Sequence, residues 1–191
     1  MLSRNIVWEW VDRPGLEYLS LNEDATGVSA AGLILVELEK RVVKLRYTLK
    51  CDSSWRFLQA TLTMEFAGKL ERRLSIEREE ESGNWLVNGQ RRTDLDACSY
   101  IDIMVTPFTN TLPIRNLGLK VGQPRAFKVA YIKVPELEVT VTDQEYTRLD
   151  SADPPTRFLY RNLSSSFTAE LTVDSDGIVT NYPGPWRRIS S

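Results

Sequence analysis

One segment breaks the pattern of this chain. Thr106 to Gly118 carries helix-start and helix-stop signals inside a sequence that otherwise alternates apolar and polar residues with period two. Thr109, Asn110 or Thr111 can act as N-cap, and Pro113 suits a first helical turn, where its missing N–H costs nothing. Ile114 and Leu117 then share one face, and Gly118 can take the left-handed conformation that ends a helix. A short helix among strands cannot bury its apolar stripe by itself. It is expected to dock where a sheet curls around it.

The alternation predicts many half-buried strands. Ile6, Trp8 and Trp10 share one face of a first strand that ends at Asp12-Arg13-Pro14-Gly15. Val28 to Leu38 is apolar on both faces near its middle, which predicts a strand covered on both sides. Val43, Leu45, Tyr47 and Leu49 alternate with charged or hydroxyl residues, and Leu58, Ala60, Leu62, Met64 and Phe66 repeat the pattern. Asn88-Gly89 between extended segments specifies a tight type I′ hairpin. After the helix, strands are read through Phe127–Tyr131, Leu137–Val141, Phe158–Tyr160 and Phe167–Val173. Long consecutive antiparallel strands argue for one closed or rolled meander over residues 1–191, because an open sheet of this width leaves its edges unprotected.

Composition narrows the chemistry. The chain has no histidine, which removes imidazole acid–base catalysis, Ser-His-Asp and Cys-His systems, and His-ligated metal sites. Cys51 and Cys98 lack metal spacing, so no metal and no cofactor are expected, and the two are read as small, reduced core residues. A net charge of −2 gives no electrostatic case for nucleic acid or an anionic membrane surface. No apolar run is long enough to span a bilayer and the first residues lack a signal sequence, so a cytoplasmic protein without stable membrane anchoring is expected.

Gly83 to Gly89, Ile101 to Val105, Thr106 to Leu117, Gln144-Glu145-Tyr146 and Tyr182-Pro183 together resemble the glycolipid-binding family with a spiral β-roll fold. The resemblance spans most of the chain. It implies a mainly β protein in which a many-stranded antiparallel sheet wraps around one short α-helix, with a shape similar to bacterial lipoprotein localisation carriers. It also implies a homodimer and a glycolipid or similar amphipathic small molecule as ligand.

The candidate site residues come from the polar and aromatic groups near the helix. Asp94, Asp96, Cys98, Tyr100 and Asp102 have one parity, and an uninterrupted strand over residues 94–104 puts them on a single face. Three carboxylates so placed can bind hydroxyls, coordinate a hard cation or supply a general acid; a solvent-facing strand is the plainer alternative. Arg72 and Arg78 can meet an anionic head group or extend along the sheet edge. Arg115 can project toward a chamber or pair with a neighbouring carboxylate. Trp55, Trp85 and Tyr146 offer flat faces for a sugar, or serve as core. Asp174 to Gly177 reads as a turn, since the ligand spacing of a calcium loop is missing. The ligand-binding candidates are Trp85, Asp96, Tyr100, Asp102, Asn110, Arg115, Gln144 and Tyr146, with Asp102 and Arg115 expected at the same polar mouth. No catalytic residue is assigned. Non-catalytic binding is the preferred reading; a carboxylate enzyme using Asp102 as acid or base, and an interaction scaffold filled by its own side chains, are the alternatives.

Overall fold

The computed structural model describes residues 2–66 and 69–191. The first half is a meander of long strands: β1 (Leu2–Trp10), β2 (Gly15–Asp24), β3 (Gly27–Leu38), β4 (Arg41–Cys51), β5 (Phe57–Phe66) and β6 (Lys69–Arg78). Two short strands, β7 (Trp85–Val87) and β8 (Gln90–Arg91), complete it. The second half starts with β9 (Cys98–Ile103), the helix α1 (Thr111–Asn116) and β10 (Pro124–Ile132). It continues through β11 (Val139–Arg148), β12 (Arg157–Asn162), β13 (Thr168–Val173), β14 (Val179–Tyr182) and β15 (Trp186–Ser190).

The fifteen strands of the described residues form one sheet, in the order β8 through β1, then β15 back through β9. The first and last strands pair, so the two halves join along β1–β15. Every pair is antiparallel except β9–β10, because the crossover between them carries the helix. The sheet does not close, yet its two edges, β8 and β9, are consecutive in sequence. Laid flat, fifteen strands are roughly 65–70 Å wide. The connection over residues 92–97 can span no more than roughly 25 Å. The sheet must therefore roll until its edges approach, and the expected β-roll around a short helix is what forms.

The helix fills the lumen. A 3-10 turn over Phe108–Asn110 leads into α1, and Leu112 and Phe108 are fully buried, with Ile114 and Leu117 nearly so. Gly118 has φ +55° and ends the helix in the left-handed region, as expected. The N-cap position belongs to Asn110, but its side chain does not cap the helix; it accepts from Tyr146 and donates to Pro107 O instead. At the C-terminal end Asn116 Nδ2 donates to Trp55 O at 3.0 Å, which fastens the helix to the β4–β5 connection.

Two readings of strand pattern need correction. Val28–Leu38 is covered on one side, not both: Val28, Ala30, Ile34 and Val36 face the lumen while Leu35 is 44% exposed. Its outward apolar residues pair across strands with those of β2, Leu35 with Leu16 and Leu33 with Tyr18, so period two holds and the outer face is simply apolar. Residues 94–104 are not one strand either. Thr93–Leu95 is a 3-10 turn and β9 begins at Cys98, so Asp94 and Asp96 are exposed and paired with Arg92 and Arg91. The Asn88-Gly89 hairpin is as expected, with φ of 50° and 75°.

Leu112 is fully buried in the lumen, so truncating it to Ala leaves a cavity and is expected to cost about 2–5 kcal/mol. Urea unfolding followed by tryptophan fluorescence measures it, and a loss below 1 kcal/mol (about the cost of a surface change) would show that the lumen tolerates a loose helix.

Candidate functional site

Strand ends and turns from both halves surround a cavity of ≈ 340 Å³ at one mouth of the roll. Trp10 ends β1, Asn162 ends β12, Tyr182 ends β14 and Tyr131 lies next to the end of β10, so strand direction puts them at the same end of the roll. Their walls are aromatic: Trp10, Tyr131, Tyr160, Phe167, Tyr182 and Trp186. The polar groups come from β9 and from the segment entering the helix, namely Asp102, Thr106 and Asn110, with Asn162 and Arg13 at the rim. Among the described residues Asp102 is the single carboxylate on the wall.

Asp102 is held on both oxygens. Thr109 Oγ1 donates to Oδ1 at 2.9 Å and Gln144 Nε2 donates to Oδ2 at 2.7 Å. Burial raises its pKa, and these two bonds act in the opposite sense. Each carboxylate oxygen keeps a further lone pair for a ligand hydroxyl. Asn110 is fixed in the same way by Tyr146, whose hydroxyl donates to Oδ1 at 2.5 Å. Burial, with added repulsion from Asp102, pushes the hydroxyls of Tyr131, Tyr160 and Tyr182 above the ordinary phenol range, so they remain neutral donors and acceptors. Tyr160, Phe167 and Tyr182 lie with ring centroids 6.0–6.1 Å apart. This arrangement can stack the flat face of a small polar molecule and hydrogen-bond its edge.

Of the eight sequence-derived candidates, Asp102 and Asn110 line the cavity, and Gln144 and Tyr146 brace them from β11. Tyr100 is buried and packs edge-on against Phe127. Three others lie elsewhere. Trp85 is fully buried and stacks on Phe57, so it presents no face to a ligand. Asp96 is an exposed partner of Arg91. Arg115 lies at the far end of α1, beyond the buried Leu112 and Pro113, and does not share a mouth with Asp102. Trp55 is also core, with Arg115 over its ring, while Arg78 extends over Trp85 at the sheet edge. Cys51 and Cys98 are free and buried, and burial pushes their thiols up to about 12 and about 11. Neither is a nucleophile at neutral pH. Among the described residues no group of three Cys, Asp or Glu side chains converges as a metal site.

Sequence reading missed the aromatic wall, because its rings come from strand ends far apart in the chain. It also missed Glu17, which lies inside the roll beneath Thr106 and is fully buried. Parity was the available signal: Glu17 has the same parity as Leu19 and Leu21, which face the core. Tyr47 Oη and Thr106 Oγ1 both donate to Glu17 Oε1, at 2.6 and 2.8 Å, while Oε2 has no partner among the described residues. Gly32 makes room for this cluster, since a Cβ there would lie 2.0 Å from the Tyr47 ring.

The fold and this mouth define a class: an open β-roll whose lumen holds a helix and whose end is an aromatic-walled cavity. The chain belongs to the family described as “Putative glycolipid-binding”, which it matches across residues 5–188. A DUF1089 family protein from Pseudomonas aeruginosa, known from its crystal structure, is 34% identical over 91% of this chain and 92% of its own, with a TM-score of 0.78. A β-barrel-like protein of the domain of unknown function DUF1849 from Brucella abortus shares the fold at 10% identity, over 98% of this chain and 95% of its own, with a TM-score of 0.53. No curated protein matches the chain. Among the described residues no helix is long and apolar enough to cross a membrane.

Burial lifts the Glu17 carboxyl from 4.5 to about 8 against the opposing bonds from Tyr47 and Thr106. The folded chain thus holds a proton that the unfolded chain releases near 4.5. This contribution to stability is complete below about pH 4.5 and is lost as pH rises toward 8. Glu17→Gln keeps a neutral acceptor and is expected to flatten that slope, standing above wild type at pH 8 by an amount on the order of a few kcal/mol. Denaturant unfolding at pH 5, 6.5 and 8 checks it; parallel profiles for the two proteins would mean that Glu17 is ionised in the fold.

Proposed function

We propose that the protein binds a glycolipid or similar amphipathic ligand without transforming it, with the sugar head seated in the aromatic cavity beside Asp102. The observation that carries this reading is the combination of aromatic walls with one pre-oriented carboxylate. Sugar rings present apolar C–H faces that stack on aromatic side chains, and hydroxyl edges that carboxylates and amides accept from or donate to. The cavity volume lies in the range of small-molecule sites, whose walls are mainly apolar with few fixed polar groups.

The carboxylate-enzyme alternative is less well supported. Glycoside hydrolysis ordinarily uses two carboxyl groups about 5–10 Å apart across the bond to be broken. Asp102 has no acidic partner on the cavity wall among the described residues. The scaffold alternative fits the filled centre of the roll, but not an open, polar-lined mouth.

A short alkyl glucoside, kept below its micelle concentration and titrated by calorimetry, is expected to bind one per chain. Phe167→Ala, which removes a ring already 42% exposed, is expected to weaken binding with little change in thermal midpoint. Asp102→Asn turns one of the two oxygens into a donor and so removes an acceptor for a ligand hydroxyl, and about ten-fold weaker binding is expected. Wild-type affinity in both variants would remove the sugar from this cavity. Turnover of a chromogenic glycoside, lost in Asp102→Asn with affinity kept, would instead favour the enzyme.

The apolar outer face of β2 and β3 supports a homodimer built on it. Leu16 and Tyr18 pair across strands with Leu35 and Leu33, and Leu16, Tyr18 and Leu35 are each 42–44% exposed. Leu35→Asp is expected to shift the protein from dimer to monomer in sedimentation at micromolar concentration. Wild type sedimenting as monomer would dispose of this surface as an interface.

A further inference from the structure

A second, larger cleft of ≈ 590 Å³ opens at the opposite end of the roll, and nothing in the sugar-binding reading uses it. Arg148 ends β11, Phe158 lies near the start of β12, and Ser175–Gly177 form the turn before β14. Phe158 and the Ser175–Gly177 turn mark the reverse ends of β12 and β14, whose other termini line the aromatic mouth, and Arg148 ends β11 on the same side. The buried middle of α1 lies between the two cavities, with Thr106 and Asn110 facing one and Ile114, Arg115 and Gly118 the other. They are separate sites.

The chemistry of the second cleft differs. Ile114, Leu119, Pro154, Pro155 and Phe158 form an apolar wall, and three cations from three elements stand around it: Arg115, Lys120 and Arg148. Arg115 is set in place on the Trp55 ring at 4.2 Å, and Nη1 donates to Asp176 O at 2.6 Å. Arg148 Nε donates to Asp150 O at 2.8 Å and Nη2 to Ala152 O at 2.5 Å. Backbone carbonyls orient a guanidinium without neutralising it. The nearest carboxylates, Glu23 to Arg115 and Asp150 to Arg148, stand at 3.8 and 3.9 Å, beyond hydrogen-bond distance. The acid on the wall, Asp176, is already engaged by Arg4 at 3.0 Å. Lys120 is exposed and makes no ion pair among the described residues.

We propose that this cleft is a second ligand site, for the carboxylate of an aliphatic acid, with Arg148 and Lys120 receiving the head and the Pro154–Pro155–Phe158 wall the chain. Guanidinium and ammonium donors suit a carboxylate, and charge-assisted bonds are about twice as strong as neutral ones. Glu23 and Asp150, each within 4 Å of one of the guanidinium groups, favour a monoanion over a dianionic phosphate monoester. The apolar wall selects against small free anions.

The full-length protein, stripped of lipid by denaturation and refolding, is titrated with dodecanoate, dodecan-1-ol and dodecyl phosphate below their aggregation limits. Dodecanoate is expected to bind one per chain, more tightly than the alcohol by about ten-fold or more, and to weaken as salt rises. Lys120→Gln, on an exposed side chain whose loss leaves the fold intact, is expected to weaken dodecanoate several-fold while the alcohol is unaffected. Arg148→Gln is expected to weaken it about ten-fold. Matching circular dichroism and thermal midpoints show that each variant is folded. Alcohol binding as tightly as the acid, phosphate binding more tightly than carboxylate, or no binding at all would overturn the proposal. So would dodecanoate affinity that survives Lys120→Gln and Arg148→Gln but is lost in Asp102→Asn, since that result puts the acid in the aromatic cavity.

Discussion

The architecture depends on a mismatch between the width of the sheet and the reach of one short connection. Strands β8 and β9 are the two edges of a fifteen-stranded sheet, and residues 92–97 tie them together. A flat sheet of that width cannot satisfy that tether, and right-handed twist accumulates in the direction of rolling. Rolling creates a lumen, and the lumen needs filling, because apolar walls without partner atoms forfeit their contacts. The crossover from β9 to β10 supplies the filler. It runs parallel, so it must pass along the roll, and the helix it carries lies where the inward faces of both halves meet.

A helix inside a β-roll introduces polar groups where water is scarce, and the fold answers four of them with partners from different parts of the sheet, while Thr111 Oγ1 has none among the described residues. Thr106 reaches Glu17 on β2, Thr109 reaches Asp102 on β9, Asn110 receives Tyr146 from β11, and Asn116 reaches Trp55 between β4 and β5. Buried polar groups left unpaired are costly, so this set fixes the position of the helix within the lumen more narrowly than apolar packing could. The same bonds hold Asp102 and Asn110 ready at the mouth. Positioning of the helix and orientation of the site are one network.

Strand direction then decides what each end of the roll contains. The termini of β1, β10, β12 and β14 bring aromatic rings to one mouth, while the end of β11 and the turns at the reverse ends of β12 and β14 bring cations and prolines to the other. One mouth is aromatic around a single carboxylate, with Arg13 at its rim. The other is cationic beside an apolar wall. A roll with a helix blocking its centre has two separate cavities at its two ends, which is a different design from a barrel with one continuous chamber.

Much of this was legible in local pattern. Period two gave the strands, Asn88-Gly89 the hairpin, and the sequence from Thr109 to Gly118 the helix with its stop, because each rests on backbone preferences a few residues long. Parity with Leu19 and Leu21 carried the inward placement of Glu17, which the strand pattern drawn from the sequence passes over. Cap chemistry was less certain: Asn110 holds the N-cap position, yet a tyrosine from β11 draws its side chain away. The break at Thr93–Leu95 undid the single face drawn through Asp94, Asp96 and Asp102, since a turn of one residue's difference resets parity. Asp102 and Arg115 are thirteen positions apart and flank one helix, so sequence set them together; the tertiary structure separates them by the buried length of that helix. The aromatic mouth had no sequence signal at all. Its rings come from five strands and one loop; pairing β1 with β15 joins the two halves into one sheet, and the rolling that the β8–β9 tether imposes gathers those ends around one cavity.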